Sequence, residues 1–206
     1  MSQFNENKVP DQWSFAYFST KPLSNWKEDL SNRYDFFREW VAKGTPTAFW
    51  ISAFTFPTGF TTALQQRFSR KKDAPPIDKL EFDFIVQTRK LAEFMEGPKD
   101  GAYIWGLYLE GGKWDEEKGN LCEPEVMELY VAMPVIHFKP IQKRNKPPTA
   151  VYKCPCYYYP IRKGTVERDS FMLDIDLKMT ADTTIPQSKP DFWIKRGTAL
   201  LMSIGT

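Results

Sequence analysis

Gly101–Asp115, GAYIWGLYLEGGKWD, contains an apolar run, Ala102–Leu109, with turn residues on both sides. A short run of aromatic and aliphatic side chains between turn signals predicts a strand, and Gly111-Gly112 predicts a tight reversal after it. Alternate side chains of the run are largely apolar in both sets, so we expect a central strand that is covered on both faces. Gly106 lies in the middle of the run, which predicts a bend or a close backbone contact there.

The residues before this strand have the periodicity of a helix. Between residues 26 and 41, apolar side chains recur at intervals of three and four, which predicts one apolar helix face. Its members are Trp26, Leu30, Tyr34, Phe37 and Val41, and Phe36 and Trp40 widen it. We expect Ser24 to be the N-cap of this helix and Gly44 to end it.

A second helix is expected to begin near Phe56-Pro57, because proline is tolerated in the first helical turn. Its apolar stripe would include Phe60 and Leu64, and Asp73–Pro76 would end it. The intervening segment, Thr47–Thr55, is short and apolar, and predicts either a brief strand or a buried linker.

The residues that follow contain strand patterns separated by turn signals. The expected strands are Leu80–Val86, one or two within Leu129–Ile141, Val151–Pro160, Phe171–Leu177 and a last apolar strand from Phe192–Ile194 and Gly197–Ile204. Helices followed by a run of strands favour an α+β fold, and about five to seven strands of this length fit an antiparallel sheet or a small barrel. We therefore predict an arm and helical part, residues 1–79, and a β-barrel part, residues 80–206.

Composition and charge exclude several classes of protein. The net charge is +2, with acidic and basic residues interleaved, which argues against a nucleic-acid binder held by a basic surface. Three cysteines in 206 residues fit a reducing compartment better than a disulfide scaffold. No apolar run approaches the ~18 residues of a membrane helix, and the N-terminus lacks a signal-peptide pattern. We expect a soluble, folded, intracellular segment.

No motif in the sequence indicates catalysis. Gly111-Gly112 lacks the spacing of a phosphate-binding loop, and there is no nucleophile elbow. His137 is the only histidine, and its position in an apolar strand favours a structural role over that of a catalytic base. Cys154 and Cys156 lack the spacer of a zinc site. We therefore predict no catalytic, cofactor-binding or metal-binding residues.

Three surface features allow more than one interpretation. The run Tyr157–Tyr159 could stack on sugars or bases, although packing on the fold or on a partner protein is favoured. The basic segments Arg67–Lys72 and Lys143–Lys146 are typical of solvated helix and loop ends, and contact with an acidic neighbour is the alternative.

An ordered set of motifs runs through nearly the whole chain. The motifs are Lys21–Trp26, Phe49–Phe60, Gln65–Lys72, Pro76–Asp78, Asp100–Gly111 with Trp114-Asp115, Met133–Pro140, Tyr152–Pro155 and Trp193–Leu201. In this order they resemble the C-terminal domain of dynein heavy chains. The passage from Arg70-Lys71 to Leu80–Phe82 is more similar to axonemal than to cytoplasmic dyneins.

This resemblance implies a fold, a location and a role. The fold would be helices followed by a six-stranded β-barrel, lying across one face of the ring of six AAA+ modules of the same heavy chain. ATP hydrolysis and microtubule binding would belong to upstream parts of a ciliary or flagellar motor, so this segment would be no enzyme, would need no cofactor and would reach microtubules only through the parent motor. Its own role would be to brace the ring and regulate motor output.

We expect the ring to contact the arm Trp13–Phe18, the aromatic face of the first helix and Phe49–Phe60, because their apolar area exceeds the needs of a small barrel. The candidate interface residues are Trp13, Trp26, Phe37, Trp40, Trp50, Phe54, Phe56, Phe60, Arg67 and Arg70. Two other hypotheses are a free-standing β-barrel module that recognises peptide or glycan through its tyrosines, and a small hydrolase that uses His137.

Overall fold

The computed structural model describes residues 6–13, 21–146, 148–158 and 170–203. Within these ranges the protein forms three α-helices and eleven β-strands. The helices are α1 (Leu23–Lys43), α2 (Pro57–Ser69) and α3 (Pro190–Arg196). Phe192–Ile194 was expected to be part of the last strand, and that prediction is wrong, because Pro190 begins a short helix there and Gly197 ends it. The strands are β1 (Ala48–Trp50), β2 (Leu80–Val86), β3 (Ala102–Trp105), β4 (Tyr108–Glu110), β5 (Lys113–Asp115), β6 (Asn120–Cys122), β7 (Tyr130–Ala132), β8 (Ile136–Gln142), β9 (Val151–Tyr157), β10 (Phe171–Lys178) and β11 (Ala199–Leu201). Most of the expected aromatic arm, residues 14–18, and Tyr159 of the tyrosine run lie outside the described residues.

The described strands form three separate sheets. One has the order β1-β3-β8-β2, the second has the order β10-β9-β11-β4-β7, and β5 pairs with β6 in a hairpin. β1 pairs with β3, and β9 with β11, in the parallel direction, so the two larger sheets are mixed. The α+β prediction is confirmed, but the antiparallel six-stranded barrel is wrong, because none of these sheets closes on itself.

Gly106 is the physical reason for this difference. Its φ of +89° is a conformation that other residues rarely adopt, and it interrupts the run that was expected to be one strand. The half before Gly106 becomes β3 in the first sheet, and the half after it becomes β4 in the second. The expected bend is therefore present, but it separates two sheets where a barrel would need one curved sheet.

The start of α1 depends on a residue far upstream in the sequence. The N–H groups of Leu23 and Ser24 donate to the backbone oxygen and the side-chain Oδ1 of Asn7, at 2.8 and 3.2 Å. The Ser24 hydroxyl donates to Asn25 at 3.0 Å. Ser24 was expected to be the N-cap, and that prediction is wrong, since Asn7 accepts the hydrogen bonds that a local cap would accept.

Among the described residues, one hydrophobic core joins the helices to the sheets. It includes Leu64 of α2, Ile104 of β3, Phe138 of β8 and Trp193 of α3, and the last three are almost completely shielded from solvent. Because residues on both sides of position 79 contribute to the same core, the helices are held firmly on the sheets.

Candidate functional site

The inner face of α1 carries a buried ion pair. Nε of Arg33 donates to Oδ2 of Asp29 at 2.8 Å, and Nζ of Lys21 donates to Oδ1 of the same carboxylate at 3.3 Å. The guanidinium of Arg33 also lies 5.7 Å from the ring centre of Trp50 in β1. Both members of the Asp29–Arg33 pair are less than a tenth exposed, so each charge needs the other, and the pair fixes which side of α1 faces the domain.

Aromatic rings attach α1 to the segment that follows it. Trp40 packs on Phe49 with ring centres 5.2 Å apart, and Trp40 also meets Phe54 edge-on at 6.2 Å. Phe54 in turn stacks on Phe60 of α2 at 4.5 Å. Such ring pairs stabilise by about 0.5–1.5 kcal/mol each beyond the area that they bury, so α1 and α2 are locked to β1.

A row of apolar side chains on α1 stays exposed to solvent. Leu30, Tyr34, Phe37 and Val41 retain 39, 67, 37 and 89% of their accessible surface. Intervals of four, three and four residues place these side chains in one line along the helix, which is the spacing of the seam between two helices of a coiled coil. We call these four residues the α1 stripe.

The structure divides the single apolar face that the sequence predicted. One part turns inward and consists of Trp26, Phe36 and Trp40, together with the charged residues Asp29 and Arg33. The other part is the α1 stripe. Hydrophobic periodicity could not separate them, because aromatic residues lie on both sides and the buried charges resemble solvent-facing residues.

The predicted interface residues differ in the surface that they can offer. Trp26 is buried, with its ring 5.6 Å from that of Trp13. Trp40, Trp50, Phe54 and Phe60 are half-buried, whereas Trp13, Phe37, Phe56, Arg67 and Arg70 are exposed.

The structure brings some of these residues together and leaves others apart. Phe37 and Phe54 meet with ring centres 5.7 Å apart, and Phe56 lies two residues beyond Phe54 with 70% of its surface exposed. Arg67 and Arg70 lie instead at the C-terminal end of α2. The individually named candidates did not include Leu30, Tyr34 and Val41, although these residues belong to the predicted helix face and their spacing with Phe37 was a usable signal.

The other candidate groups have structural contacts. Nε2 of His137 lies 2.7 Å from the backbone oxygen of Asp100, and its ring packs against Tyr103. Burial raises the pKa of the Cys156 thiol to about 12, and raises the pKa of Cys154 well above its usual value. These contacts favour structural roles for the histidine and for both thiols.

Metal-binding and membrane-spanning features are both absent from the residues that the structure describes. Among these residues, no group of three or more His, Cys, Asp and Glu side chains is arranged to hold a metal ion. In the same ranges, no helix combines the length and the apolar character that crossing a membrane requires.

The comparison with known proteins matches residues 1–202 to the family of the C-terminal domain of the dynein heavy chain. The sequence is 45% identical over 199 residues to "Dynein-1-beta heavy chain, flagellar inner arm I1 complex" of Chlamydomonas reinhardtii, covering 97% of this chain and 4% of that protein. It is 47% identical over 197 residues to "Dynein axonemal heavy chain 2" of Homo sapiens, covering 95% and 4%. It is 40% identical over 199 residues to human "Dynein axonemal heavy chain 1", covering 96% and 5%.

These matches cover nearly all of this chain and only a small part of each relative. The resemblance inferred from the ordered motifs is confirmed, and the relatives named here carry axonemal or flagellar names, as expected from the passage Arg70–Phe82. With a family match over almost its whole length, the chain belongs to the family of C-terminal domains of dynein heavy chains.

Proposed function

We propose that this domain packs on the AAA+ ring of its own heavy chain through the α1 stripe and Phe56, and that the contact braces the ring and regulates ATP-driven movement on microtubules. The observation that carries the proposal is the α1 stripe itself. Four large apolar side chains remain exposed on a helix whose other side is locked to the domain by rings and an ion pair. Exposed apolar surface of this kind marks an interaction site.

The spacing of the stripe favours a helix as its partner. Seam positions at intervals of four and three pack as knobs into holes of a facing helix, at a crossing angle of about 20°. Complete burial of a side chain such as Leu, Val or Phe contributes about 1.5–3 kcal/mol. Leu30 and Phe37 are already more than half shielded, so Tyr34 and Val41 would supply most of the further burial against a helical surface.

Regulation then requires that the contact differ between states of the ring. A bound domain favours one ring conformation only when it contacts that conformation more strongly. Because α1 is fixed to β1 and to α2, any movement of a ring helix against the stripe is resisted by the domain as a whole. The domain acts as a brace without a catalytic group of its own.

The wider setting of the proposal comes from the relatives. Because they are named as axonemal or flagellar heavy chains, we place the parent protein in the axoneme of a cilium or flagellum and assign ATP hydrolysis to its upstream AAA+ modules. Microtubules would be reached through the parent motor alone, and neither nucleic acid nor membrane is a partner.

The experiment compares complete heavy chains. Tyr34→Asp with Val41→Asp places two charges in the stripe, whereas Ser31→Asp with Asn32→Asp places two charges at exposed polar positions of the same helix. We expect the stripe variant, like a motor lacking residues 1–206, to change microtubule gliding velocity and basal ATPase while the ring still assembles. Unchanged motility and ATPase in both the stripe variant and the deletion would overturn the proposal.

A further inference from the structure

The loop between β6 and β7 presents a second apolar surface. Val126, Met127 and Leu129 retain 94, 92 and 72% of their accessible surface. We call the segment Pro124–Leu129 the finger. Three large apolar side chains this exposed within four positions form a patch, whereas a single exposed residue would be ordinary.

The finger is held in a defined shape. The backbone N–H of Glu125 donates to the carboxylate of Glu128 at 2.9 Å, and the N–H of Glu128 donates to the backbone oxygen of Glu125 at 3.1 Å. Nζ of Lys113 in β5 lies 3.5 Å from the carboxylate of Glu125 and 3.5 Å from that of Glu128. Met127 at the tip has a φ of +72°, a left-handed conformation that a methionine keeps only where its surroundings impose it.

The base of the finger is tied to α3. Glu123 accepts a hydrogen bond from the guanidinium of Arg196 at 2.8 Å. A second hydrogen bond reaches Glu123 from the side-chain amide of Gln187, just before α3. These hydrogen bonds connect the base of the apolar tip to α3, and a segment that is already connected loses less entropy on binding.

The finger lies in an acidic part of the sequence. Residues 113–129 contain six acidic residues and two lysines, although the protein as a whole has a net charge of +2. Lys113, Lys118 and Arg196 pair with carboxylates of this region, and the acidic residues still outnumber these three cations by three. A protein surface that receives the apolar tip therefore meets net negative charge, and charge complementarity favours a basic surface. An acidic surface would be repelled.

The size of the finger indicates where that basic surface belongs. A free-standing protein complex buries roughly 800 Å² on each partner, and three side chains supply much less. A small contact suffices when both surfaces belong to one polypeptide, because the effective concentration is then high. This chain spans 4–5% of the length of its relatives, so the rest of a heavy chain is available as a tethered partner.

We propose that the finger docks into a basic, apolar-lined surface elsewhere on the same heavy chain and forms a second attachment point in addition to the α1 stripe. This inference rests on the proposed function, since it assumes that the domain packs on its own heavy chain. The two contacts use different elements: the stripe lies on α1, and the finger is fixed by β5 and α3. A module attached at two points resists rotation as well as separation.

The test uses a photo-cross-linking amino acid at Val126 in the intact heavy chain. The matched control places it at Met95, which is 83% exposed in another loop. We expect light to join position 126 to a basic peptide of the same heavy chain, and position 95 to give background yield. Glu125→Lys is expected to lower the yield about tenfold because it opposes a basic partner, whereas Glu96→Lys leaves it unchanged.

Every other outcome overturns the inference. These outcomes are a cross-link to a separate polypeptide, a cross-link to a second copy, a yield equal to that from Met95, or a yield that Glu125→Lys does not change. A third position, Tyr34, reports the α1 stripe in the same preparation. A cross-link from position 34 without one from position 126 rejects the finger contact and leaves the proposed function standing. If neither position gives a cross-link, both the finger contact and the proposed function are rejected.

Discussion

The indole ring of Trp50 lies directly against the backbone of Gly106. A β-carbon built on Gly106 would be 2.5 Å from Cδ1 of Trp50, well inside van der Waals contact. The same Trp50 ring stacks on Trp105 with ring centres 5.5 Å apart. The contact between Trp50 and Gly106 joins β1 to the point where the backbone leaves one sheet for the other. The helix α1, which carries the α1 stripe, packs on β1.

Gly106→Ala is expected to destabilise the domain by about 3 kcal/mol, from a left-handed φ and a displaced indole together. Gly119→Ala is the matched control, because Gly119 also has a positive φ, and no atom of the residues that the structure describes lies within 4 Å of a built β-carbon. It should cost about 1 kcal/mol. Urea unfolding monitored by tryptophan fluorescence measures both values, and equal losses would show that the Trp50 contact is unimportant.

Asp29→Ala is expected to destabilise the domain by about 3–5 kcal/mol, since it leaves the Arg33 charge buried without its carboxylate. Replacing both partners, with Asp29→Leu and Arg33→Met, should recover most of that loss. The control is Asp35→Ala, which breaks an exposed pair with Arg38 and should cost less than about 1 kcal/mol. Denaturant unfolding provides the comparison, and a double variant as unstable as Asp29→Ala would contradict the explanation.

Asp176 should make stability fall as the pH rises. Burial raises the pKa of its carboxyl, and the negative charges of Glu81 and Asp174 raise it further. The positive charges of Lys153 and Arg144 lower this pKa, but they offset the increase only in part. A raised folded-state pKa means that the folded protein holds the proton more tightly, so the stabilisation is complete below the unfolded value of about 3.9 and is lost as pH rises through the folded value. The stability of Asp176→Asn relative to the native protein should therefore increase from pH 3 to pH 7.

Asp182 supplies a control of opposite sign. Hydrogen bonds from the Thr184 side chain and backbone lower the pKa of this carboxyl, so its stabilisation is present above the unfolded pKa and is lost as the pH falls. The stability of Asp182→Asn relative to the native protein should decrease over the same pH range. Denaturant unfolding of both variants and of the native protein at several pH values measures these differences in stability. If the two variants change in the same direction with pH, the opposite pKa shifts of Asp176 and Asp182 are refuted.

The thiols of Cys154 and Cys156 should resist alkylation while the domain is folded. Both are completely buried, and burial raises both pKa values, to about 12 for Cys156. Thiolate is the reactive form, so at pH 8 almost none is present. Mass spectrometry after iodoacetamide treatment should find these two cysteines unmodified in buffer and modified in guanidinium chloride. Modification in buffer would reveal local opening of β9.

Several elements were predictable because their signals are local. Gly44 ends α1 with a φ of +90°, as expected, and Pro57 begins α2. The strand expected at Leu80–Val86 has those bounds in the structure. Turn residues, proline positions and alternating side chains act through neighbours in the sequence, so a sequence displays them directly.

The proposed docking surface was only partly predictable. The spacing of Leu30, Tyr34, Phe37 and Val41 marked them as one face, yet it could not tell whether that face was turned inward or outward. The orientation depends on Arg33, which reaches Trp50 in β1 and pairs with Asp29. A buried ion pair consists of the same residue types as a solvent-exposed one, so the sequence alone cannot distinguish the two.

The sequence by itself determined the family, the α+β class, both long helices and the bend at Gly106. Only the tertiary structure decided how the strands were shared among sheets, that the sheets remain open, and which apolar side chains stay on the surface. The reason is physical: propensities and turns depend on residues adjacent in the sequence. Strand partners such as β1 with β3 depend instead on contacts between residues more than fifty positions apart. The orientation of α1 depends on which side chains it meets outside the helix, such as Trp50 for Arg33.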